Sequence, residues 1–274
     1  MATIALESQR PHPLGHASQV EQISQLFRPF VNNHGTRRAK HSGTVTCLAY
    51  DANTDLMYSA SSDKTVKVWK VSESKCIDTI EAHIEAVNAV VVVDDGLLFT
   101  GSDDNTVKVW RRQRRAQEPK HERMATLNMQ LSPVKALFLG PDGSPVLYAG
   151  CYDGYIHYWE EDQFSDRIFH HSGFLRGHLH SVLCLETVRD MLLSGSADST
   201  IRVWKREAGG SGICCIAVME GHNAPVKCIA TTIMDFHVNS FICYSGSLDG
   251  TVKVWMGRMK STMDSRPTSP VRIR

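Results

Sequence analysis

The chain has 274 residues, of which 42% are hydrophobic, and a formal net charge of +1. That length allows one or two ordinary domains, and so balanced a charge gives no basis for a nucleic-acid or membrane surface. There is no apolar run long enough to span a bilayer, and the first 30 residues lack the apolar core of a signal peptide, so a soluble cytoplasmic protein is expected.

Residues 1–40 carry no copy of the pattern that fills the rest of the chain. Ser18-Gln19-Val20-Glu21 reads as a capping box, and Val20, Ile23 and Leu26 or Phe27 follow at helical spacing before Pro29. A short helix lying on the first repeat is expected, with a docking peptide for a partner as the functional alternative.

Between residues 41 and 255 one pattern recurs five times: SSDKTVKVW, SDDNTVKVW, CYDGYIHYW, SADSTIRVW and SLDGTVKVW. The copies end at Trp69, Trp110, Trp159, Trp204 and Trp255, spaced by 41, 49, 45 and 51 residues. A Trp-ended strand at this period marks a blade of a β-propeller. The first copy predicts strands over residues 44–48, 56–61, 65–69 and 75–80, with a turn at Ser62-Asp63-Lys64. Val45, Cys47 and Leu48, then Leu56, Met57 and Tyr58, do not alternate with polar residues. They read as buried on both faces, as in a sheet stacked between two neighbours. The expected fold is all-β, a propeller with five recognisable four-stranded blades.

Polar residues recur inside this apolar frame. His41, His83, His178 and His222 each stand four residues before the Val that opens a repeat's first strand. Ser61, Ser102, Ser196 and Ser247 stand eight residues before a Trp, and Asp63, Asp104, Asp153, Asp198 and Asp249 stand six before. A hydrogen-bonded His, Ser, Asp and Trp set is predicted in each blade, because a buried imidazole and carboxylate are costly unless each satisfies the other. Four or five copies argue against a catalytic triad, which needs one Ser beside one His in a cleft. The third copy departs from the rest. Gln130 stands in place of His and Cys151 in place of Ser, while Asp153 and Trp159 remain, so this blade is predicted to be held less rigidly.

Three further groups invite a chemical reading. Cys47, Cys184 and Cys228 share a first-strand position with Ala89 and Ala136, which marks a small packing site. The eight cysteines include no pair of CxxC motifs, and adjacent Cys214-Cys215 suit neither zinc nor a simple disulfide, so structural thiols are expected. His170-His171 with His178 and His180 resemble a metal cluster, but His178 already belongs to the repeat, and neither metal nor cofactor is expected. Arg111, Arg112, Arg114 and Arg115 form a basic connection read as a solvated loop, with nuclear import as the alternative. Residues 256–274 are basic and rich in Ser, Thr and Pro; they are expected to be disordered, with Ser269-Pro270 a weak phosphorylation candidate. The organisation is thus a head over 1–40, a propeller over 41–255 and a tail over 256–274.

With these motifs the chain resembles the WD-repeat propellers over residues 41–255, and the recurring His, Ser, Asp and Trp resemble their structural tetrads. The segments KTVKVWKVSESKCIDTIEAHIEAVNAVV, GFLRGHLHSVLCL and GHNAPVKCIA with YSGSLDGTVKVW look more narrowly like the plant JINGUBANG-like WD-repeat proteins. That likeness implies a regulatory scaffold of plant signalling or development without catalytic activity, and a ring of about seven blades. Five copies leave two options, a closed ring of five or a shortened, open form. The open form is expected, with two apolar blade faces exposed.

The His loop and the Asp turn must share one end of each blade, or the two side chains could not meet. Family propellers commonly grip partners at that end. Thr46, Asn88, Asp103, Lys135, Tyr152, Leu183, Lys227 and Leu248 occupy it here and vary between copies, so they form the expected face for other proteins, with Tyr152, Leu248, Lys135 and Lys227 as anchors. No small-molecule substrate, membrane or direct nucleic-acid contact is expected. A substrate receptor of a cullin-type ubiquitin ligase is the alternative, although the Trp-Asp-x-Arg motif usual in that role is missing; Trp255-Met256-Gly257-Arg258 comes nearest. An enzyme would need carboxylates converging on a central channel, whereas the recurring Asp residues fall in turns.

Overall fold

Each copy of the repeat forms one antiparallel sheet, because its β-branched and aromatic runs are cut by short turns, one of which holds the recurring Asp. In this computed structural model the described residues are 40–93, 96–113, 120–128, 132–140, 146–162, 168–207, 212–235, 240–258 and 271–273. The first blade pairs β1 (Val45–Asp51), β2 (Leu56–Ser61), β3 (Thr65–Lys70) and β4 (Lys75–Glu81) in chain order. The second contains β5 (Val87–Val92), β6 (Leu97–Ser102), β7 (Thr106–Arg112) and β8 (His121–Asn128). The third contains β9 (Val134–Leu139), β10 (Val146–Cys151), β11 (Ile156–Glu161) and β12 (Phe169–Leu175). The fourth is built from β13 (Val182–Val188), β14 (Met191–Ser196), β15 (Thr200–Arg206) and β16 (Ile213–Glu220). The fifth has three described strands, β17 (Val226–Asp235), β18 (Ser240–Ser247) and β19 (Val252–Arg258).

The residue after each recurring Asp turns the chain with a left-handed backbone: Lys64 at φ 74°, Asn105 at 63°, Gly154 at 87°, Ser199 at 68° and Gly250 at 79°. Asn and Gly tolerate this region readily, and in the other two copies the turn is imposed on Lys and Ser.

The tail corrects one expectation. Val271–Ile273 form β20, which adds to the outer edge of the fourth blade parallel to β16, with Val271, Arg272 and Ile273 opposite Ala217, Val218 and Met219. Arg272 Nη1 lies 3.3 Å from Glu220 Oε1. Part of the segment expected to be disordered is therefore a strand, because its Val-Arg-Ile alternation meets an open edge. Ser269 and the helix expected over residues 18–27 lie outside the described residues.

The blades stack in chain order, with contacts from β1 to β5, β5 to β9, β9 to β13 and β13 to β17. Each blade has a rear face toward its successor and a front face toward its predecessor. The four hydrophobic clusters are the four interfaces so formed. In one, Leu97, Phe99, Val107 and Val109 of the second blade pack on Val134, Leu137, Leu147 and Trp159 of the third. The same positions meet between first and second, third and fourth, and fourth and fifth blades. Glycine permits the approach. A Cβ on Gly101, Gly150 or Gly195 would come within 2.6–2.8 Å of a Cγ1 of Val134, Val182 or Val226, the Val that opens the next blade.

Among the described residues, no fifth interface of this kind forms. Val66, Val107, Ile156 and Ile201 are fully buried, but their counterpart Val252 on the last blade is 72% exposed, with Val254 at 62% and Met256 at 75%. On the first blade Val45 is 48% and Leu48 56% exposed, whereas the matching Val87 and Val90 are buried. The rear face of the last blade and the front face of the first are thus two unpacked halves of an interface that the chain builds four times.

Candidate protein-binding face

Four blades contain the expected tetrad, with one residue reassigned in each. His41 Nδ1 lies 2.8 Å from Asp63 Oδ2, and the matching bonds from His83 to Asp104, His178 to Asp198 and His222 to Asp249 are 2.8, 2.9 and 2.8 Å. The carboxylate accepts, so Nδ1 carries the proton. The hydroxyl on Nε2 is not that of Ser61, Ser102, Ser196 or Ser247. It belongs to Ser59, Thr100, Ser194 and Ser245, at 2.7, 2.7, 2.7 and 2.8 Å. The indole N–H of Trp69, Trp110, Trp204 and Trp255 donates to these same oxygens at 2.8–2.9 Å.

Strand register explains the correction. Trp69 pairs across the sheet with Met57, so Ser59 is the diagonal neighbour that an indole reaches, and Ser61 lies two residues too far along β2. Ser61, Ser102, Ser196 and Ser247 instead accept the N–H of the turn Asp at 3.1 Å. The second oxygen of each Asp accepts from a hydroxyl that the sequence reading overlooked, on Thr65, Thr106, Thr200 and Thr251, at 2.6–2.7 Å. A Thr two residues after four of the five recurring Asp residues was the available signal.

These bonds govern ionisation. Burial would push the Asp198 carboxyl up, but bonds from His178, Thr200 and the Leu179 N–H outweigh it and hold it below the usual carboxylate range. Burial also holds His83 below the ordinary imidazole range, against the pull of Asp104. In the second blade the chain of bonds thus runs from indole to hydroxyl to neutral imidazole to carboxylate.

The third blade has neither group that would bridge its Trp and Asp. Gln130 lies outside the described residues, and Ala149 holds the hydroxyl position, so Cys151 is not the missing tetrad member. Cys151 takes the place of Ser61 and its counterparts, and Ser132 Oγ accepts the Asp153 N–H at 3.3 Å instead. Burial pushes the Cys151, Cys184 and Cys243 thiols up to about 12, so they stay protonated at neutral pH.

Since His and Asp meet in every complete tetrad, the His loops and Asp turns lie on one face. Part of the expected binding set is committed between blades there. Thr46 Oγ1 donates to the Val87 carbonyl, and Asn88 Nδ2 donates to Asp103 at 2.7 Å and to the Val134 carbonyl at 2.8 Å. Lys135 forms an ion pair with Asp103. These four residues vary between copies because each seam is sewn differently. Leu183 is half-buried and Lys227 exposed.

Tyr152 and Leu248 are free, at 61% and 67% exposure, and two residues missed in the sequence join them: Ile84 at 74% and Leu179 at 79%. Ile84 and Leu179 each follow a tetrad His, and their N–H groups bond the turn Asp, which fixes their side chains outward. Tyr152 and Leu179 are neighbours, since the Tyr152 carbonyl accepts from Ser181 and a Cβ on Gly154 would meet the His178 carbonyl at 2.7 Å. Of the basic connection, Arg112 reaches across to Thr54 at 2.9 Å and Asp51 at 3.4 Å, which makes it a clasp between blades; Arg114 and Arg115 lie outside the described residues.

The family model described as WD domain, G-beta repeat matches residues 35–70, 74–111, 169–205 and 213–256, more than half of the chain. The chain belongs to the WD-repeat family. Residues 112–168, which include the third copy of the repeat, are left unmatched, in keeping with that copy's missing histidine and hydroxyl. Among curated relatives, Cell division control protein 4 of Candida albicans is 34% identical over 40% of this chain and 17% of its own length. DENN domain and WD repeat-containing protein SCD1 of Arabidopsis thaliana is 25% identical over 78% of this chain and 17% of its own. F-box-like/WD repeat-containing protein TBL1X of Homo sapiens is 33% identical over 32% and 17%. The chain therefore spans under a fifth of these three relatives.

Proposed function

We propose that this WD-repeat protein is a non-enzymatic interaction scaffold that holds other proteins on the His-loop face. The supporting observation is that four large apolar side chains, Ile84, Tyr152, Leu179 and Leu248, stand exposed on that one face, where no blade packing requires them. The finer reading is a cytoplasmic regulator of plant signalling or development, supported by the likeness of the repeat segments to JINGUBANG-like proteins. The F-box-like element in the name of one relative motivates the alternative of a ubiquitin-ligase receptor.

The test is affinity capture from plant extract with quantitative mass spectrometry, comparing wild type with an Ile84→Ser, Tyr152→Ala, Leu179→Ser, Leu248→Ala variant. As exposed sites, each change should shift stability by no more than about 0.5 kcal/mol. Partner recovery should fall about tenfold or more if these are hot spots. A Lys120→Ala, Arg123→Ala control, just before and on β8, should retain its partners. Full recovery by the quadruple variant would remove the His-loop face from consideration, and enrichment of cullin subunits would favour the receptor reading.

A further inference from the structure

A blade of this chain is complete with four strands, yet the fourth blade accepts β20 as a fifth, in the one parallel pairing among the described strands. The outer strands show why this edge takes a strand. β4 carries Lys75, Asp78 and Glu81, β8 carries Glu122 and Arg123, and β12 carries His170 and His171. Polar and charged side chains of that kind keep an open edge from pairing with another segment. β16 has none from Ile213 to Met219, and its single charged residue is Glu220, at its end.

Register and charge define the site. The pairing sets Arg272 beside the buried Val218 and Ile273 beside the buried Met219. Side chains alternate along a strand, so Arg272 shares a side with Glu220, two residues past Val218, and its Nη1 lies 3.3 Å from that carboxylate. The resident strand holds this edge lightly. β20 has three residues, whereas β1–β19 have six to ten. Ile273 is 41% exposed and the Arg272 side chain 71%, and an ion pair so exposed adds little stability.

We propose that the outer edge of the fourth blade is a second docking site, for an extended segment of a partner protein with apolar, basic and apolar residues in succession, and that Val271–Ile273 fill it until that segment arrives. The partner segment pairs parallel to β16 over Ala217–Met219 and brings its base to Glu220. Main-chain hydrogen bonds supply affinity in such strand addition, and the side chains supply the choice of sequence. Twelve residues separate Arg258 from Val271, so the resident strand is a tethered rival that a partner must outcompete. This site adds to the His-loop face and does not rest on it.

The experiment uses the whole chain and a fluorescein-labelled peptide, TSPVRIR, the sequence of residues 268–274, with binding read by anisotropy. Arg272→Glu with Ile273→Asp unseats the resident strand and leaves β16 unchanged, so this variant should bind the peptide about tenfold or more tightly than wild type. The peptide TSPVEIR should bind the same variant about threefold more weakly than TSPVRIR, since its acid would face Glu220. Glu220→Lys should reverse that preference, a result that misfolding does not produce. Equal binding of TSPVRIR by wild type and the double variant would overturn the proposal, as would indifference of both variants to the charge of the peptide. A wild-type dimer that the double variant loses would also overturn it, by giving the edge to the strand of a second copy. No residue of the His-loop face is altered, so each result is independent of the binding-face proposal.

Discussion

Val203 and Val254 hold the same place on the third strands of the fourth and fifth blades, yet one is 5% exposed and the other 62%. Nothing in the two strands accounts for the contrast: TIRVW and TVKVW have the same apolar pattern, and both end in a Trp bonded to a serine hydroxyl. The difference is the neighbour. Gly195 admits Val226 of the next blade, while a Cβ on its counterpart Gly246 would meet only Cys228 of its own. A blade's internal bonds are set by its own repeat, but the worth of its faces is set by what stacks on them.

The largest effect that could break this comparison is at tryptophan. Trp204 is buried at an interface, and Trp204→Ala should cost about 3–5 kcal/mol in urea unfolding. Trp69 makes the same hydrogen bond but lies on the uncovered front face of the first blade, so Trp69→Ala should cost distinctly less. Equal losses would show that this front face is covered in solution.

Valine gives the next contrast. Val203→Ala removes two buried methyl groups and should cost about 2 kcal/mol. Val254→Ala should remain within about 0.5 kcal/mol, as for other exposed sites. Similar values from paired urea melts would contradict the open arrangement.

The smallest effect sharpens the comparison, because tetrads do not follow the faces. Asp198 and Asp249 are both held below the usual carboxylate range; in Asp249 the Thr251 hydroxyl contributes most, with His222 behind it. A depressed carboxylate stabilises the fold above about pH 4, and that contribution is lost as pH falls through the native value. Asp198→Asn and Asp249→Asn should therefore both flatten the acid limb of a melting-temperature profile. His83, with its native value also depressed, stabilises above about pH 6.5 and loses this as pH drops, so His83→Gln should flatten the limb at higher pH. An Asp249→Asn profile identical to wild type would separate the last tetrad from the others.

The strands, the turns and the His, Asp and Trp positions were legible because each recurs at fixed spacing. The hydroxyl was not, since Ser59 and Ser61 are both hydroxyls on one strand and only the pairing of Met57 with Trp69 tells which lies within reach. Variation at Asn88, Asp103 and Lys135 looked like a surface free to diverge, but three-dimensional neighbours make it a set of seams. Ile84 and Leu179 escaped notice because an apolar residue after a histidine reads as core until the backbone turns it outward.

The added strand has a mechanical consequence. After leaving the fifth blade at Arg258 the chain is fastened again at β20, to the outer edge of the fourth. Tension applied beyond Ile273 therefore bears first on β16 and on the Arg272–Glu220 contact. The fifth blade is spared until that short parallel ladder gives way, so it sits inside a loop closed by its neighbour. A cargo tethered there would tug on a blade stacked on both faces, and the blade with one bare side would feel the load last.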